Sequence, residues 1–293
     1  MASKNTAVVE ARKTKADRRS ASAGSQSLKS RWPQLHRGDR EIFPDTSRVA
    51  HQIGQNPLLA EFASAHGGAA RVAATLQAAW SAFHTGKFSE AIVLGSSAGA
   101  LGASVANKSA AIHSLYARAE EAKLIRLLED AAERGESALR VLSREANVHY
   151  TLALVLGRYS QRISILRALA QGMAERVRGH LDRTLELEPY HAEAHVALGL
   201  FHAELIGKLG SVAASLTYRA SASAAIQHFE RAIELTPDSP IALMEYAHGL
   251  LLINAAGHRD QAVTLYQRAA GCRPADAMER LDQARARREF AAL

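Results

Sequence analysis

The carboxyl-terminal half of this chain repeats one spacing of small residues, an aromatic residue and a proline. The pattern Ala-x3-aromatic-x2-Ala-x4-Pro occurs twice, around Phe229 and Tyr266, and Leu181 stands at the aromatic position before a third proline. Successive prolines lie 48 and 37 residues apart. A repeat of this length is typical of a unit that cannot bury its own apolar face and must stack on its neighbours. The chain is therefore expected to fold as a row of similar units.

A Leu-Gly pair marks the first half of two of these units and completes the repeat signature. The signature residues are Leu156, Gly157, Pro189, Leu198, Gly199, Ala225, Phe229, Ala232, Pro237, Ala262, Tyr266, Ala269 and Pro274. Around them, apolar residues recur at helical spacing, and glycine or proline residues separate the runs. Each unit is therefore predicted to be a helix, a turn and a second helix.

The composition favours helices over strands. Alanine is frequent, 47% of the residues are hydrophobic and only 5% are aromatic, which suits closely packed helices. We predict an all-α, right-handed solenoid of about five antiparallel helix pairs. The predicted pairs are 72–83 with 88–94, 103–119 with 121–144, 148–164 with 173–187, 192–206 with 221–235 and 240–253 with 259–271, followed by a capping helix at 275–290.

The positive charge of the chain is concentrated at its amino-terminal end. The net charge is +7, and residues 1–40 hold ten Lys and Arg residues against three acidic ones. Such a segment has too little apolar surface to offset its ordering entropy. We therefore expect a disordered basic leader at 1–45, a linker with one short helix at 46–69, and the solenoid domain at 70–290. Because only Trp32 is available there to stack on a base, specific binding of nucleic acid is not expected.

Targeting and redox signals are sparse. No stretch is long and apolar enough for a secretory signal or a membrane span. We expect a cytoplasmic protein, and the Arg- and Ser-rich leader leaves targeting to an organelle as the alternative. A single cysteine, Cys272, excludes an internal disulfide.

Residues 145–274 resemble a tetratricopeptide repeat protein. The resemblance is carried by Leu198-Gly199-x2-His202 and by the two Ala-x3-aromatic-x2-Ala-x4-Pro blocks. The long inserts at 158–178 and 206–224, with the segment 274–282, are similar to a divergent bacterial group of these proteins. That group is distantly similar to the T component of tripartite periplasmic transporters and to regulators of microtubule dynamics. The resemblance extends over about residues 70–288 and implies a non-catalytic, protein-binding scaffold.

Motifs for catalysis and for cofactors are weak. The run 95–99, Gly-Ser-Ser-Ala-Gly, matches the G-x-S-x-G pattern of a serine hydrolase, in which the serine stands between a strand and a helix. Because the surrounding residues continue the helical pattern, a hydrolase is only a remote alternative. His191 and His195 can place two imidazoles on one helix face, but histidines packed between helices are the favoured interpretation, so no metal is predicted. Glycine motifs for phosphate are absent, and no cofactor is predicted.

The concave surface of the row remains as the candidate site. Predicted partner-binding residues are Trp80, Phe83, His84, Leu154, Arg158, Arg162, Glu193, Leu200, Glu204, Met244 and His248. A groove that mixes aromatic, Met and Arg residues is typical of peptide binding, with Arg158 and Arg162 pairing with acidic groups of a protein partner. Two alternatives stay open. The inserts fold across the groove and fill it, or they close it into a small-molecule pocket lined by Trp80, Phe83 and Met244.

Overall fold

The computed structural model describes residues 28–293 of the chain. In this range the backbone forms α-helices, one 3-10 turn and their connections, without any β-strand. Residues 1–27, which hold most of the predicted basic leader, lie outside the described residues. The predicted all-α class is confirmed for the described part of the chain.

The helices are numbered here in chain order. Their bounds are α1 (28–35), α2 (Thr46–Gly54), α3 (Pro57–Ala65), α4 (Gly68–His84), α5 (Phe88–Ser97), α6 (Ala103–Tyr116), α7 (Glu121–Leu139), α8 (Ala146–Ser160), α9 (Ile165–Ala170), α10 (Met173–Leu187), α11 (Ala192–Leu209), α12 (Ser211–Tyr218), α13 (Ala222–Leu235), α14 (Pro240–Gly271) and α15 (Ala277–Ala291). The 3-10 turn at Gly99–Gly102 joins α5 to α6.

Side-chain caps fix where the last three helices begin. The side chains of Ser221, Ser239 and Asp276 accept hydrogen bonds from backbone N–H groups in the first turns of α13, α14 and α15. These N–H groups have no partner within a helix, so each cap satisfies a donor that would otherwise be unpaired. Pro240 stands at the first helical position of α14, where its missing N–H is not needed.

Consecutive helices pack as pairs, and the pairs stack in chain order. Helices α4 and α5, α6 and α7, α8 and α10, and α11 and α13 form the first four pairs. The short helices α9 and α12 lie in the two inserts that separate the members of the third and fourth pairs. This arrangement confirms the predicted helical-repeat solenoid.

The fifth pair is formed by α14 alone, because the helix folds back on itself. Asn254 has non-helical backbone angles, φ −161° and ψ 92°. Beyond it, the Gln261 amide donates to the Tyr246 hydroxyl at 3.4 Å. In a straight helix these two residues would be about 22 Å apart along the axis. The two arms of α14 therefore lie side by side, as predicted for 240–253 and 259–271.

The repeat signature marks close packing between the fourth and fifth pairs. Phe229 of α13 is fully buried, and its ring stacks on Tyr246 with centroids 5.1 Å apart. A Cβ atom at Gly199 would lie 2.8 Å from this ring, and one at Gly249 would lie 2.5 Å from it. The two glycines therefore allow α11 and α14 to approach the ring closely.

The amino-terminal end of the described chain is folded rather than disordered. Residues 28–45, called the N-terminal segment below, comprise α1, a turn at 36–39 and an irregular stretch at 40–45. Trp32 in α1 and His36 and Asp39 in the turn are buried. Residues 46–69 contain α2 and α3, where one short helix was predicted. The prediction of a disordered leader does not hold for residues 28–45, because their few apolar and charged side chains have matching partners on the helix row.

The two ends of the row meet. His84, at the end of α4, donates to Asp276, which precedes α15, at 2.7 Å. The Tyr116 hydroxyl at the end of α6 donates to Asp282 of α15 at 2.8 Å, and Met278 joins the apolar cluster of α4. The predicted capping helix thus contacts the first pair as well as α14, and the concave side of the row becomes a channel.

Candidate functional site

The N-terminal segment occupies the first part of the concave channel. Trp32 packs edge-on against Trp80, with ring centroids 5.8 Å apart, and His36 is hydrogen-bonded to His84 at 3.1 Å. Trp80, Phe83 and His84 are consequently buried. These three residues were predicted to face a partner, but the chain covers them with its own amino-terminal end.

A buried ionic centre fixes the segment to the row. The Lys108 ammonium group on α6 donates to Asp39 at 2.6 Å and pairs with Glu193 of α11 at 2.8 Å. Burial by itself would raise the pKa of Asp39, but the charges of His36 and Lys108 hold that pKa well below its usual range. Burial likewise opposes the charge of Lys108, and Asp39 and Glu193 outweigh it and raise the pKa of the ammonium group. Asp39 and Lys108 are therefore held in their charged forms.

Backbone groups of the segment are also bound to the row. The Gly38 carbonyl accepts from the backbone N–H of Glu193 at 3.0 Å. The Asp39 carbonyl accepts from the Asn147 amide of α8 at 2.9 Å. Main-chain bonds to two successive pairs make the segment a fixed wall of the channel.

The remaining part of the channel is an open cavity of about 390 Å³. Helices α6, α8, α9, α10, α11, α12, α14 and α15 contribute to its lining. Most of the wall is apolar, and the polar residues in it include Lys108, Tyr150, Arg158 and Asp282. Apolar wall residues include Ile112, Leu154, Met173, Val196, Leu200 and Phe201.

A difference between two repeat units explains why this space is empty. In the fourth pair, the Phe229 ring fills the space over Gly199. In the third pair, the corresponding residues are Leu181 and Gly157, and a Cβ atom at Gly157 would meet no atom within 4 Å. Both Leu181 and Gly157 line the cavity. Replacement of the aromatic ring by a smaller side chain thus helps to leave the channel open here.

The two inserts form the rim of the cavity rather than a plug. Ala168 of α9 lines it, and so do Leu209 and Tyr218 of the second insert. The outer face of α12 carries Val212 and Leu216, which are 72% and 82% exposed. The channel is therefore open between the inserts, and an exposed apolar face adjoins its mouth.

The predicted partner-binding residues fall into two groups. The cavity is lined by Leu154, Arg158, Glu193, Leu200 and Glu204, whereas Trp80, Phe83, His84, Arg162, Met244 and His248 lie elsewhere. Arg162 is bound to Glu121 at 2.6 Å and to a backbone carbonyl. Met244 is fully buried in the core of the last two pairs. The pocket predicted around Trp80, Phe83 and Met244 is therefore not the cavity that the structure contains.

Arg158 is the wall cation that lacks an acidic partner. Its Nη1 atom donates to Gln161 at 3.2 Å, and its Nε atom is buried without a hydrogen-bond partner among residues 28–293. By contrast, Lys208 at the rim is paired with Glu204 at 2.7 Å. A guanidinium group in a mostly apolar wall is stabilised by a carboxylate that approaches it. Arg158 is thus available to an acidic group of an occupant.

Several residues of the cavity wall were not predicted from the sequence. Lys108 had a signal, because it is the only Lys, Arg, Asp or Glu within α6 and stands among small residues. Asp282 had none, since α15 is rich in charged residues and nothing in their order distinguishes the two that are buried, Glu279 and Asp282. Tyr150 lies in the buried run of α8, where aromatic residues are ordinary core residues.

Comparison with known families identifies the chain. The family model described as Regulator of microtubule dynamics protein 1-3 matches residues 103–293, more than half of the chain. The chain belongs to this family. The range matched by the regulator of microtubule dynamics family begins at α6, so it includes every residue that lines the cavity. The N-terminal segment lies before it.

A solved structure supports the fold of this family member. The chain is similar to a thermophilic tetratricopeptide repeat protein of Thermus thermophilus, with a TM-score of 0.52 and 19% identity over 72% of this chain and 96% of the other. The predicted resemblance to tetratricopeptide repeat proteins and to regulators of microtubule dynamics is confirmed. No curated protein matches the chain significantly. Over residues 28–293, no helix has the length and hydropathy needed to cross a membrane.

The serine motif of this family member has no hydrolase geometry. Ser97 is the last residue of α5, and its hydroxyl donates to the Leu94 carbonyl within the same helix at 2.8 Å. A nucleophile elbow requires a strand before the serine. The hydrolase interpretation of this motif is therefore wrong.

Four histidines pack as two equivalent pairs between helices. His149 faces His180, and His195 faces His228, with Nδ1 atoms 3.1 and 2.9 Å apart. These are called the two histidine pairs below. His149 and His195 also donate Nε2–H to a backbone carbonyl. Burial lowers the pKa of all four, to about 4 for His180 and His228. Within the described range, no group of three or more His, Cys, Asp or Glu residues could hold a metal ion.

Proposed function

We propose that this protein is a non-catalytic scaffold or adaptor that binds a segment of a partner protein in the open part of its channel. Tetratricopeptide-like helix rows serve generally as protein-interaction scaffolds. The observation that carries the proposal is the continuity between the cavity and the exposed apolar face of α12. Leu209, the last residue of α11, lines the cavity, is 42% exposed and directly precedes α12, and Tyr218 at the end of α12 lines the cavity as well.

A protein segment fits this continuous surface better than a compact ligand does. An apolar stretch of the partner would fill the cavity, and its continuation would cover Val212 and Leu216. Helix α12 contains no charged residue, and exposed apolar patches on soluble domains commonly mark contact sites. Arg158 in the wall would pair with an acidic side chain of the same segment. The partner is therefore expected to combine apolar anchors with an acidic residue.

The test is a selection of binders from a displayed library of random short peptides, followed by measurement of their affinities for four variants, of which Arg158→Met removes the charge in the wall. Gly157→Leu fills the cavity, because a side chain at this position has free space around its Cβ atom. Gly179→Leu is the matched control, since it also lies within a helix, has no atom within 4 Å of its Cβ position and is not part of the cavity wall. Leu216→Ser removes an exposed apolar side chain without touching the core.

We expect the selected peptides to bind the wild type and Gly179→Leu equally, and to bind Gly157→Leu and Leu216→Ser at least about tenfold more weakly. Arg158→Met should weaken the peptides that carry an acidic residue and leave the others unchanged. Failure to obtain any peptide whose binding is reduced by Gly157→Leu would refute the proposal.

A small-molecule carrier is the second candidate. The cavity volume of about 390 Å³ lies within the usual range for small-molecule sites, and its mostly apolar wall is typical of them. Native mass spectrometry of the purified protein tests it. A bound mass that is present on the wild type and on Leu216→Ser, but absent from Gly157→Leu, would favour the carrier over the scaffold.

A further inference from the structure

The floor of the cavity, where α6, α14 and α15 meet, contains a carboxylate that the fold leaves half satisfied. Asp282 belongs to the cavity wall although it is only 2% exposed. Its Oδ1 atom accepts from the Tyr116 hydroxyl at 2.8 Å, whereas Oδ2 is buried without a hydrogen-bond partner among residues 28–293. A buried acceptor of this kind destabilises a fold unless a donor reaches it. An occupant of the cavity can supply that donor.

The charges around Asp282 favour a positively charged donor. Two cations of the surrounding helices, the buried Lys108 and the partly buried Arg285, are each shared between two carboxylates, so neither of them neutralises Asp282. These groups are Lys108 with Asp39 and Glu193, and Arg285 with Glu245 and Glu289. Burial, together with the charges of Glu245, Asp276 and Glu193, raises the pKa of Asp282 to about 7. The floor thus carries an excess of negative charge that an added cation would relieve.

The shape of the floor suits a long side chain with a charged end. Ile112, Leu115, Ile241 and Met278 line the cavity together with Asp282. Lysine and arginine carry an apolar stem below the charge, and such stems pack on apolar surfaces while the charged end finds a polar partner. A neutral donor on a short side chain would leave both the apolar space and the excess charge in place.

We infer that the partner segment inserts a lysine or arginine side chain into the cavity and that its charged end donates a hydrogen bond to Oδ2 of Asp282. This inference rests on the proposed function, because it assigns an anchor of the same partner segment. The basic anchor at Asp282 and the acidic group at Arg158 would together fix the orientation of the segment in the channel.

The experiment uses the displayed random-peptide library on the wild type and on Asp282→Asn. Asparagine keeps the shape of the side chain and an acceptor for Tyr116 but removes the negative charge. Peptides selected on the wild type should contain a lysine or arginine among apolar residues. Replacement of that residue by methionine should weaken binding to the wild type at least about tenfold and should leave binding to Asp282→Asn unchanged.

A second variant distinguishes the loss of the negative charge from a change in folding. Tyr116→Phe removes the hydroxyl bound to Oδ1 but keeps the carboxylate, so the preference for a basic residue should persist in this variant. Thermal unfolding of both variants, followed by circular dichroism, reports whether the helix row is intact.

The outcomes separate this inference from the proposed function. Peptides whose binding is reduced by Gly157→Leu bind in the cavity. If the basic residue of such peptides can be replaced without loss of affinity, a buried water satisfies Asp282, and the inference is wrong while the scaffold proposal stands. If no selected peptide depends on the cavity, the scaffold proposal fails as well. The inference is supported if the preference for a basic residue is lost in Asp282→Asn and retained in Tyr116→Phe.

Discussion

Replacement of Lys108 by methionine tests how the N-terminal segment is held in the channel. Methionine preserves most of the side-chain volume and removes the ammonium group. The change leaves the carboxylates of Asp39 and Glu193, which are 1% and 14% exposed at their side chains, without their shared cation. Both acids would then have to stay charged in a poorly solvated place or take up protons.

The expected loss of stability is large for a single substitution. Removal of one partner from a buried ion pair costs about 3–5 kcal/mol, because an uncompensated charge remains. The same loss should lower the melting temperature by on the order of 10 °C for a domain of this size. The pKa of Asp39 lies below its usual range, so the pair stabilises the fold above the unfolded-state pKa of about 4 and loses this effect as the pH falls below it.

Tryptophan fluorescence gives a local readout of the segment. The chain has two tryptophans, and Trp32 on the segment and Trp80 on α4 are 5% and 3% exposed where the two elements meet. Undocking of the segment would expose both rings and shift their emission to the red. We expect this shift in Lys108→Met under conditions in which circular dichroism still shows a helical protein.

A double-mutant cycle and a surface control complete the test. Asp39→Asn combined with Lys108→Met should lose at least about 1 kcal/mol less than the sum of the two single losses, because the residues interact directly. Lys208→Met breaks the exposed pair with Glu204 and should cost less than about 1 kcal/mol. If Lys108→Met unfolds within about 1 kcal/mol of the wild type and its emission is unchanged, the ionic centre does not hold the segment, and the reasoning is refuted.

The remaining predictions concern packing, acid stability and the two arginines. Gly199→Ala should destabilise the protein by about 1–3 kcal/mol, because its Cβ atom would lie 2.8 Å from the Phe229 ring. Gly157→Ala should stabilise it by up to about 1 kcal/mol, because alanine favours a helix and its Cβ atom would meet no atom within 4 Å. Urea denaturation measures both free energies of unfolding, and equal effects would contradict the packing argument. The two histidine pairs have lowered pKa values, so their contribution to stability is complete above the unfolded value of about 6.5 and is lost as the pH falls towards about 4. The urea midpoint should therefore fall between these pH values, and glutamine at all four positions should flatten the profile; an equally steep profile in that variant would assign the effect to other groups. For selected peptides that carry an acidic residue, Arg162→Ala should leave the affinity unchanged while Arg158→Met reduces it, since only Arg158 lines the cavity. Isothermal titration with these peptides distinguishes the two variants, and an equal loss in both would contradict the assignment.

Local patterns were enough to predict the helix row. The spacing of apolar residues and the Leu-Gly pairs identify the helices, and the prolines after Leu187, Leu235 and Gly271 mark where three of them end. These signals depend on contacts within a turn or between neighbouring helices, so they can be read from nearby positions in the chain. The same holds for the break in α14, which lies at the surplus residues that the repeat spacing reveals around Asn254.

The location of the site depended on contacts between residues far apart in the chain. Arg158 and Leu200 line the cavity, and the repeat register alone is enough to place them on the concave side. It placed Trp80 there as well, because nothing in the register shows that residues 28–45 return to cover α4. Asp39 meets Lys108 across 69 positions, and neither residue reveals the other in the linear order.

The sequence by itself determined the type of unit and the number of units, because each helix pair is specified by its own periodicity and turns. Only the tertiary structure decided that the row closes, since His84 and Asp276 meet across 192 positions and Tyr116 meets Asp282 across 166. The tertiary structure also decided which part of the channel stays open. That outcome depends on where the N-terminal segment docks and on the smaller Leu181 that stands in place of a ring, and such volumes are defined only when distant helices pack together.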